Sequence, residues 1–148
     1  MHLADALISY SEHSKTQSKN DILHNALELV TKSINDLGGS KTHKAWGLNK
    51  KAQIHHLLNE THEAIEALTK AEHALFDGYE EEIKSEKDGV MKIKIWLTGL
   101  WLTYAKIAKD TGKKEIANLY ANAVKNLPDP EKTLVLRKKQ AGRMMNGK

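Results

Sequence analysis

The sequence predicts an all-α protein of six or seven antiparallel helices, arranged as a helical-hairpin bundle or a short solenoid. Three observations support this fold class. Only 2 of the 148 residues are proline, the residue least compatible with a helix interior. Alanine, leucine, lysine and glutamate are frequent, whereas runs of β-branched residues are scarce, which is typical of helices. Apolar residues also recur every three or four positions, as they do on one face of a helix.

The apolar periodicity predicts one helix after another along the chain. The predicted ranges are 3–13, 22–37, 44–59, 62–76, 88–111, 113–127 and a last helix from Pro130. The polar stretch SKTQSKN separates the first two helices, and Gly38-Gly39 is expected to end the second, because glycine is common just after a helix C-terminus. The pattern allows residues 44–76 to be one helix or a hairpin of two, and we favour two.

The segment 79–95 allows a helix, a loop or a small β-hairpin. Asp77-Gly78 is expected to break the preceding helix, since glycine is a weak helix former. Asp88-Gly89 is a hairpin turn signal, and the VMKIKI that follows alternates apolar and polar residues as a strand does. Because the helical pattern over 88–111 is stronger, we favour the helix.

Length and composition indicate one folded domain with a basic end. Apolar residues make up 40% and charged residues 28% of the chain, a typical globular balance. We predict a single helical domain over 1–130 and a basic C-terminal helix or tail over 131–148. The segment 129–148 holds six basic side chains against two acidic ones, which accounts for the whole net charge of +4.

Several function classes are excluded or disfavoured by composition. The chain has no cysteine, which excludes disulfides, thiolate nucleophiles and cysteine zinc sites. The N-terminus shows no secretion signal. The longest uncharged apolar stretch, Ile95–Tyr104, is far shorter than the roughly 20 residues of a membrane span. We expect a cytoplasmic protein that neither spans a membrane nor binds a cofactor.

The helix predicted over 88–111 carries more apolar surface than one face can hold. One stripe comprises Ile93, Leu97, Leu100, Tyr104 and Ile107. Trp96 flanks this stripe, and Met91, Ile95 and Leu102 lie on the opposite side. A helix that is apolar nearly all round must be covered on more than one face. It is therefore central to the fold, or Met91, Ile95, Trp96 and Leu102 bind another protein or a second copy.

Gly99 lies in the middle of this helix and disfavours it by about 1 kcal/mol relative to alanine. A glycine there suggests that another backbone approaches the helix closely.

Two segments resemble the tetratricopeptide repeat, whose second helix reads alanine, three residues, an aromatic, two residues, alanine, four residues and proline. The better match is Ile116-x3-Tyr120-x2-Ala123-x4-Pro128, and the weaker one is Ala64-x3-Leu68-x2-Ala71-x4-Phe76. The resemblance covers about 44–76 and 98–130. These matches lie 52 residues apart, whereas the family repeats every 34 or so. The resemblance implies a scaffold that binds a peptide or protein on a concave surface, with no catalytic residues.

Four histidines and four glutamates lie within the twenty residues from Ile54 to His73. If the segment is drawn as one helix, His55, His62, Glu66 and His73 fall on a single stripe. Zinc needs three or four converging ligands, so a second helix would have to contribute, with His13 or His24 as candidates.

The stripe faces away from the apolar residues and therefore toward water, whereas metal ligands in helical bundles face inward. The H-E-x-x-H pattern is also missing. We predict a solvated surface, with a metal site at His55, His62, Glu66 and His73 as the alternative.

The basic end holds Arg137, Lys138, Lys139 and Arg143. Such side chains can contact phosphates or an acidic partner. No aromatic residue is interleaved, so stacking on bases is not indicated.

No catalytic motif is recognisable in the chain. The sequence therefore favours a non-enzymatic module, an adaptor or inhibitor type of helical protein that acts through protein–protein contacts or assembly. The alternative is a nucleic-acid-binding protein that uses the basic end.

Overall fold

The computed structural model describes residues 2–12, 17–36, 40–85 and 88–145, and these residues form seven α-helices with no β-strand among them. In chain order the helices are α1 His2–Glu12, α2 Gln17–Asp36, α3 Lys41–Leu57, α4 Thr61–Ser85, α5 Gly89–Asp110, α6 Lys114–Asn126 and α7 Val135–Met145. The predicted all-α fold class is therefore confirmed.

The chain divides into two compact units, residues 1–74 and 75–148, with the division inside α4. In the first unit α2 packs against both α1 and α3. In the second unit α5, α6 and α7 each pack against the other two. The single domain expected over 1–130 stays a prediction, because compactness alone does not show which segments fold independently.

The first unit has a continuous apolar core built by the inward faces of α1, α2 and α3. Its buried members are Ala4, Ile8, Leu23, Ala26, Val30 and Ile54. An ion pair joins α1 to α3 beside this core, with Lys50 Nζ 2.9 Å from a carboxylate oxygen of Asp5.

Residues 44–76 form two helices, as favoured from the sequence. Leu58 closes α3, and the next residue, Asn59, has a φ of 62°. Asparagine is one of the few residues other than glycine that enters this left-handed conformation readily. The amide of Glu60 donates to the carbonyl oxygen of His55 at 2.8 Å. The chain therefore turns over three residues and restarts at Thr61.

The structure corrects the predicted break at Asp77-Gly78, because α4 continues unbroken to Ser85. Gly78 is buried inside this helix. Its unfavourable propensity of about 1 kcal/mol is small enough for tertiary packing to override. The hairpin alternative for 79–95 is also wrong, since Gly89 is the first residue of α5. In addition, α2 begins at Gln17, within the expected polar break, while the expected stop at Gly38-Gly39 lies outside the described residues.

The last helix begins at Val135 rather than at Pro130. Both carboxylate oxygens of Asp129 accept backbone hydrogen bonds, from the amide of Thr133 and from that of Leu134, each at 2.9 Å. Lys132 has a φ of 57°, which no helix accommodates. Partial desolvation alone would raise the pKa of Asp129, but the hydrogen bonds from Leu134 and Thr133 outweigh it and lower this pKa. Asp129 therefore shapes the connection and delays the helix.

Candidate functional site

The predicted partner-binding residues of α5 lie in different environments. Leu102 is only 7% exposed and belongs to an apolar cluster in the second unit. The other buried members of that cluster are Ala121 and Val124 of α6 and Ala141 of α7. Leu102 is thus already covered by this chain's own helices, which corrects its assignment to a partner surface. Met91, Ile95 and Trp96 are half-buried, and their role in partner binding stays a prediction.

The all-round apolar character of α5 follows from its position within the second unit, where it packs against both α6 and α7. Gly99 serves this packing. A Cβ atom at Gly99 would lie 3.1 Å from Nη1 of Arg137 and 3.4 Å from Cζ. What approaches α5 at the glycine is therefore the guanidinium group of Arg137 rather than another backbone. Burial lowers the pKa of Arg137, although an arginine stays protonated under all ordinary conditions.

Lys138 is also engaged within the second unit. Its Nζ donates to the carbonyl oxygen of Leu127, at the C-terminal end of α6, at 2.6 Å. Nζ of Lys94, from α5, donates to the next carbonyl oxygen, that of Pro128, at 3.0 Å. Lysines in this position satisfy carbonyl groups that the helix end leaves unpaired. The two tail cations Arg137 and Lys138 are therefore structural.

The other two predicted tail cations, Lys139 and Arg143, are exposed. They follow Leu136 at intervals of three and four residues, which places all three on one side of α7. Leu136 is 67% exposed. We call Leu136, Lys139 and Arg143 the α7 face.

A single histidine stripe would require residues 54–73 to form one helix, and the turn at Asn59 separates His55 from the residues of α4. His55 is buried, with Nδ1 3.6 Å from a carboxylate oxygen of Glu60. By contrast, His62, Glu66 and His73 are exposed on α4.

Glu66 forms a hydrogen-bonded ion pair with Lys70 at 2.8 Å, and this bond together with the charge of Lys70 lowers the pKa of Glu66. Within the described part of the chain, no group of three or more His, Asp or Glu side chains is placed to hold a metal ion.

The C-terminal half of α4 displays large apolar side chains that the sequence reasoning missed. Phe76 is 68% exposed, Tyr79 46% and Ile83 36%. Their spacing of three and four residues aligns them on one side of the helix. We call Phe76, Tyr79 and Ile83 the α4 face. The alignment was hidden because the helix was expected to end at Phe76, so Tyr79 and Ile83 had no helical register.

Acidic groups lie on one flank of the α4 face, with Glu80 nearest to it. Asp77, Glu80 and Glu81 are all exposed. Within residues 76–85 the one basic side chain is Lys84, whose Nζ lies 3.9 Å from a carboxylate oxygen of Glu80. Such an exposed pair has little energetic value. The α4 face is therefore an apolar stripe beside an excess of negative charge.

The C-terminal end of α4 is fixed against the start of α5. A Cβ atom at Gly89 would collide with the carbonyl oxygen of Glu82 and lie 3.1 Å from Cα of Ile83. Only glycine allows α5 to begin this close to α4. Glu82 is buried, and its carboxylate lies 3.6 Å from Nζ of Lys92. These contacts hold the helix that presents the α4 face.

A second apolar patch lies on α6. Ile116 and Leu119 are exposed there, and the ring of Tyr120 stacks on that of Tyr104 with centroids 5.0 Å apart. The charged neighbours of this patch have mixed signs, with Lys114 beside Glu115. The charges around this patch therefore indicate the chemistry of a partner less clearly than those around the α4 face.

Comparison with known proteins found no matching family model, no matching curated protein and no matching solved structure. None of the helices described above combines the length and the apolar character that crossing a membrane requires.

Proposed function

We propose that the protein is a non-enzymatic interaction or assembly module that acts through protein–protein contacts. The observation that carries this proposal is the α4 face, where the exposed side chains of Phe76, Tyr79 and Ile83 lie in line on one helix. Large aromatic side chains are enriched at protein interfaces, because they bury much apolar area with few rotatable bonds. A single exposed apolar residue needs no explanation, but an aligned set bordered by charge is typical of an interaction surface.

The tetratricopeptide resemblance supports the same proposal, since that family binds proteins and peptides. We place the action in the cytoplasm, in keeping with a chain that has no cysteine. The nucleic-acid alternative loses support, because Arg137 and Lys138 are engaged with Gly99 and Leu127 inside the second unit. Fewer exposed cations mean fewer phosphate contacts and a weaker salt-dependent affinity.

Site-specific photocrosslinking tests the proposal. Benzoylphenylalanine, an aromatic photocrosslinker, replaces Tyr79 in the full chain expressed in its own cells. The matched control carries the same group at Lys125, an exposed position on α6. We expect an adduct from position 79, none from position 125, and loss of the adduct when Phe76→Ser and Ile83→Ser are added. Equal labelling at both positions, or an adduct that survives the serine substitutions, would contradict a specific contact at the α4 face.

A further inference from the structure

We infer that the α4 face binds the α7 face of a second copy of this chain. This inference rests on the proposed interaction function and names the occupant of the same surface. It is carried by the opposite charge of the two faces, and their common helical spacing allows them to pack against each other.

The two faces have complementary charge. The exposed carboxylate of Glu80 adjoins the α4 face, and those of Asp77 and Glu81 lie further round α4 on the same flank. The α7 face carries the exposed cations Lys139 and Arg143. Complementary potentials across an interface speed the encounter and set the orientation of the partners, whereas like charges that face each other oppose association. Each face repels another face of its own kind and attracts the other.

The two faces also match in spacing. Phe76, Tyr79 and Ile83 follow intervals of three and four residues, as do the three residues of the α7 face. Two helices that cross with such rows facing each other pack ridges into grooves. Leu136 supplies an apolar contact for the aromatic rings, and the arms of Lys139 and Arg143 can cover the remaining apolar surface while their charged ends reach the carboxylates.

A second copy fits better than an external anion as the ligand of α7. Of the four tail cations, Arg137 lies over Gly99 and Lys138 donates to Leu127, so that α7 turns only Lys139 and Arg143 outward. Two exposed cations give weak phosphate binding. In the proposed contact the same two cations meet carboxylates beside an apolar stripe, and both effects then act together.

The contact joins different surfaces of two copies. It therefore forms twice in a two-fold dimer, or repeats around a ring or along an open filament, and each copy contributes one α4 face and one α7 face to the assembly. The mass of the assembly distinguishes these arrangements, since one chain has a mass of 16.6 kDa.

Charge reversal with rescue tests the inference on the full-length protein. One variant carries Asp77→Lys and Glu80→Lys, and a second carries Lys139→Glu and Arg143→Glu. A control variant carries Lys114→Glu and Lys125→Glu, which changes the net charge as much as the second variant does but at exposed positions of α6. Light scattering over a concentration series, at low and at high ionic strength, measures the mass of each variant and of the two reversed variants mixed.

We expect the wild type and the control to associate, with an affinity that falls as salt rises. Each reversal should weaken association at least about tenfold, because like charges then face each other. The mixture should associate again, because a basic α4 face then meets an acidic α7 face. Circular dichroism should show the same helicity for all variants, since every substituted side chain is exposed.

A wild type that stays monomeric, reversals without effect, or a mixture that fails to associate would each overturn the inference. A wild type whose mass rises only when RNA is added would overturn it in favour of the nucleic-acid alternative. These outcomes differ from failure of the proposed function itself. If the protein is monomeric but position 79 still crosslinks to another protein, the interaction function stands and only its occupant is wrong.

Discussion

Substituting Gly99 by alanine tests whether Arg137 is held inside the second unit. In a helix interior, alanine is favoured over glycine by about 1 kcal/mol. Against this gain, the new Cβ would lie 3.1 Å from Nη1 of Arg137 and 3.4 Å from both Cζ and Nη2. Ordinary contacts between heavy atoms are about 3.5–4.0 Å, so the guanidinium group must move by a few tenths of an ångström.

We expect these two effects nearly to cancel. Gly99→Ala should change the free energy of unfolding by less than about 0.5 kcal/mol in the wild-type background, because propensity and crowding oppose each other. In an Arg137→Ala background nothing crowds the new methyl group, and the same substitution should stabilise by about 1 kcal/mol. The coupling energy between the two positions should therefore lie at about 0.5–1 kcal/mol, within the range found for residues in contact.

Urea unfolding of the four variants of this double-mutant cycle, followed by circular dichroism, measures the coupling. Arg137→Ala alone should destabilise, because the arginine stem and its packing are lost. If Gly99→Ala stabilises equally in both backgrounds, the guanidinium group does not lie over Gly99. Arg137 would then return to the outward-facing basic set, and the case for nucleic-acid binding would strengthen.

Three further substitutions probe the elements that position the two faces. Leu134→Ala should destabilise by about 2–5 kcal/mol in chemical denaturation, since Leu134 is fully buried, whereas Leu119→Ala on the exposed side of α6 should stay within about 0.5 kcal/mol. Asn59→Ala should lower stability by about 1 kcal/mol because of its left-handed backbone, and Asn59→Gly should be nearly neutral; equal effects would show that the turn is relaxed. The lowered pKa of Asp129 means that its contribution is fully present above the ordinary pKa of an aspartate and is lost as pH falls through the lower folded-state pKa. Thermal unfolding of wild type and Asp129→Asn as a function of pH should therefore converge in acid, and curves that stay parallel would contradict this role.

The helices were predictable where periodicity and breakers agree, as in α6, which the expected range 113–127 matches almost to the residue. Prediction failed where a tertiary contact overrode a local sequence rule. Gly78 was expected to break α4, but a buried position in a packed helix tolerates a penalty of about 1 kcal/mol. The start of α7 is delayed because Asp129 accepts hydrogen bonds from the amides four and five residues ahead. No helix-cap pattern in the sequence predicts these hydrogen bonds.

The candidate surfaces were harder to predict than the helices. Periodicity shows that α5 is apolar all round, but it does not show which helices cover each side. Leu102 was therefore assigned to a partner surface, although it lies in the core of the second unit. The same limit applies to the basic tail, because the sequence alone does not distinguish the environment of Arg137 from that of Arg143. Only the position of α7 against Gly99 distinguishes Arg137, which is half-buried, from the exposed Arg143.

The connection between α6 and α7 has a consequence for how binding begins. Its carbonyl groups at Leu127 and Pro128 are held by lysines from two helices, and its amides are held by Asp129. The basic helix is therefore preorganised, so that a partner meets it already folded and little entropy is lost in ordering a tail. Association through α7 should then proceed at the speed of a rigid, electrostatically steered encounter rather than that of coupled folding and binding.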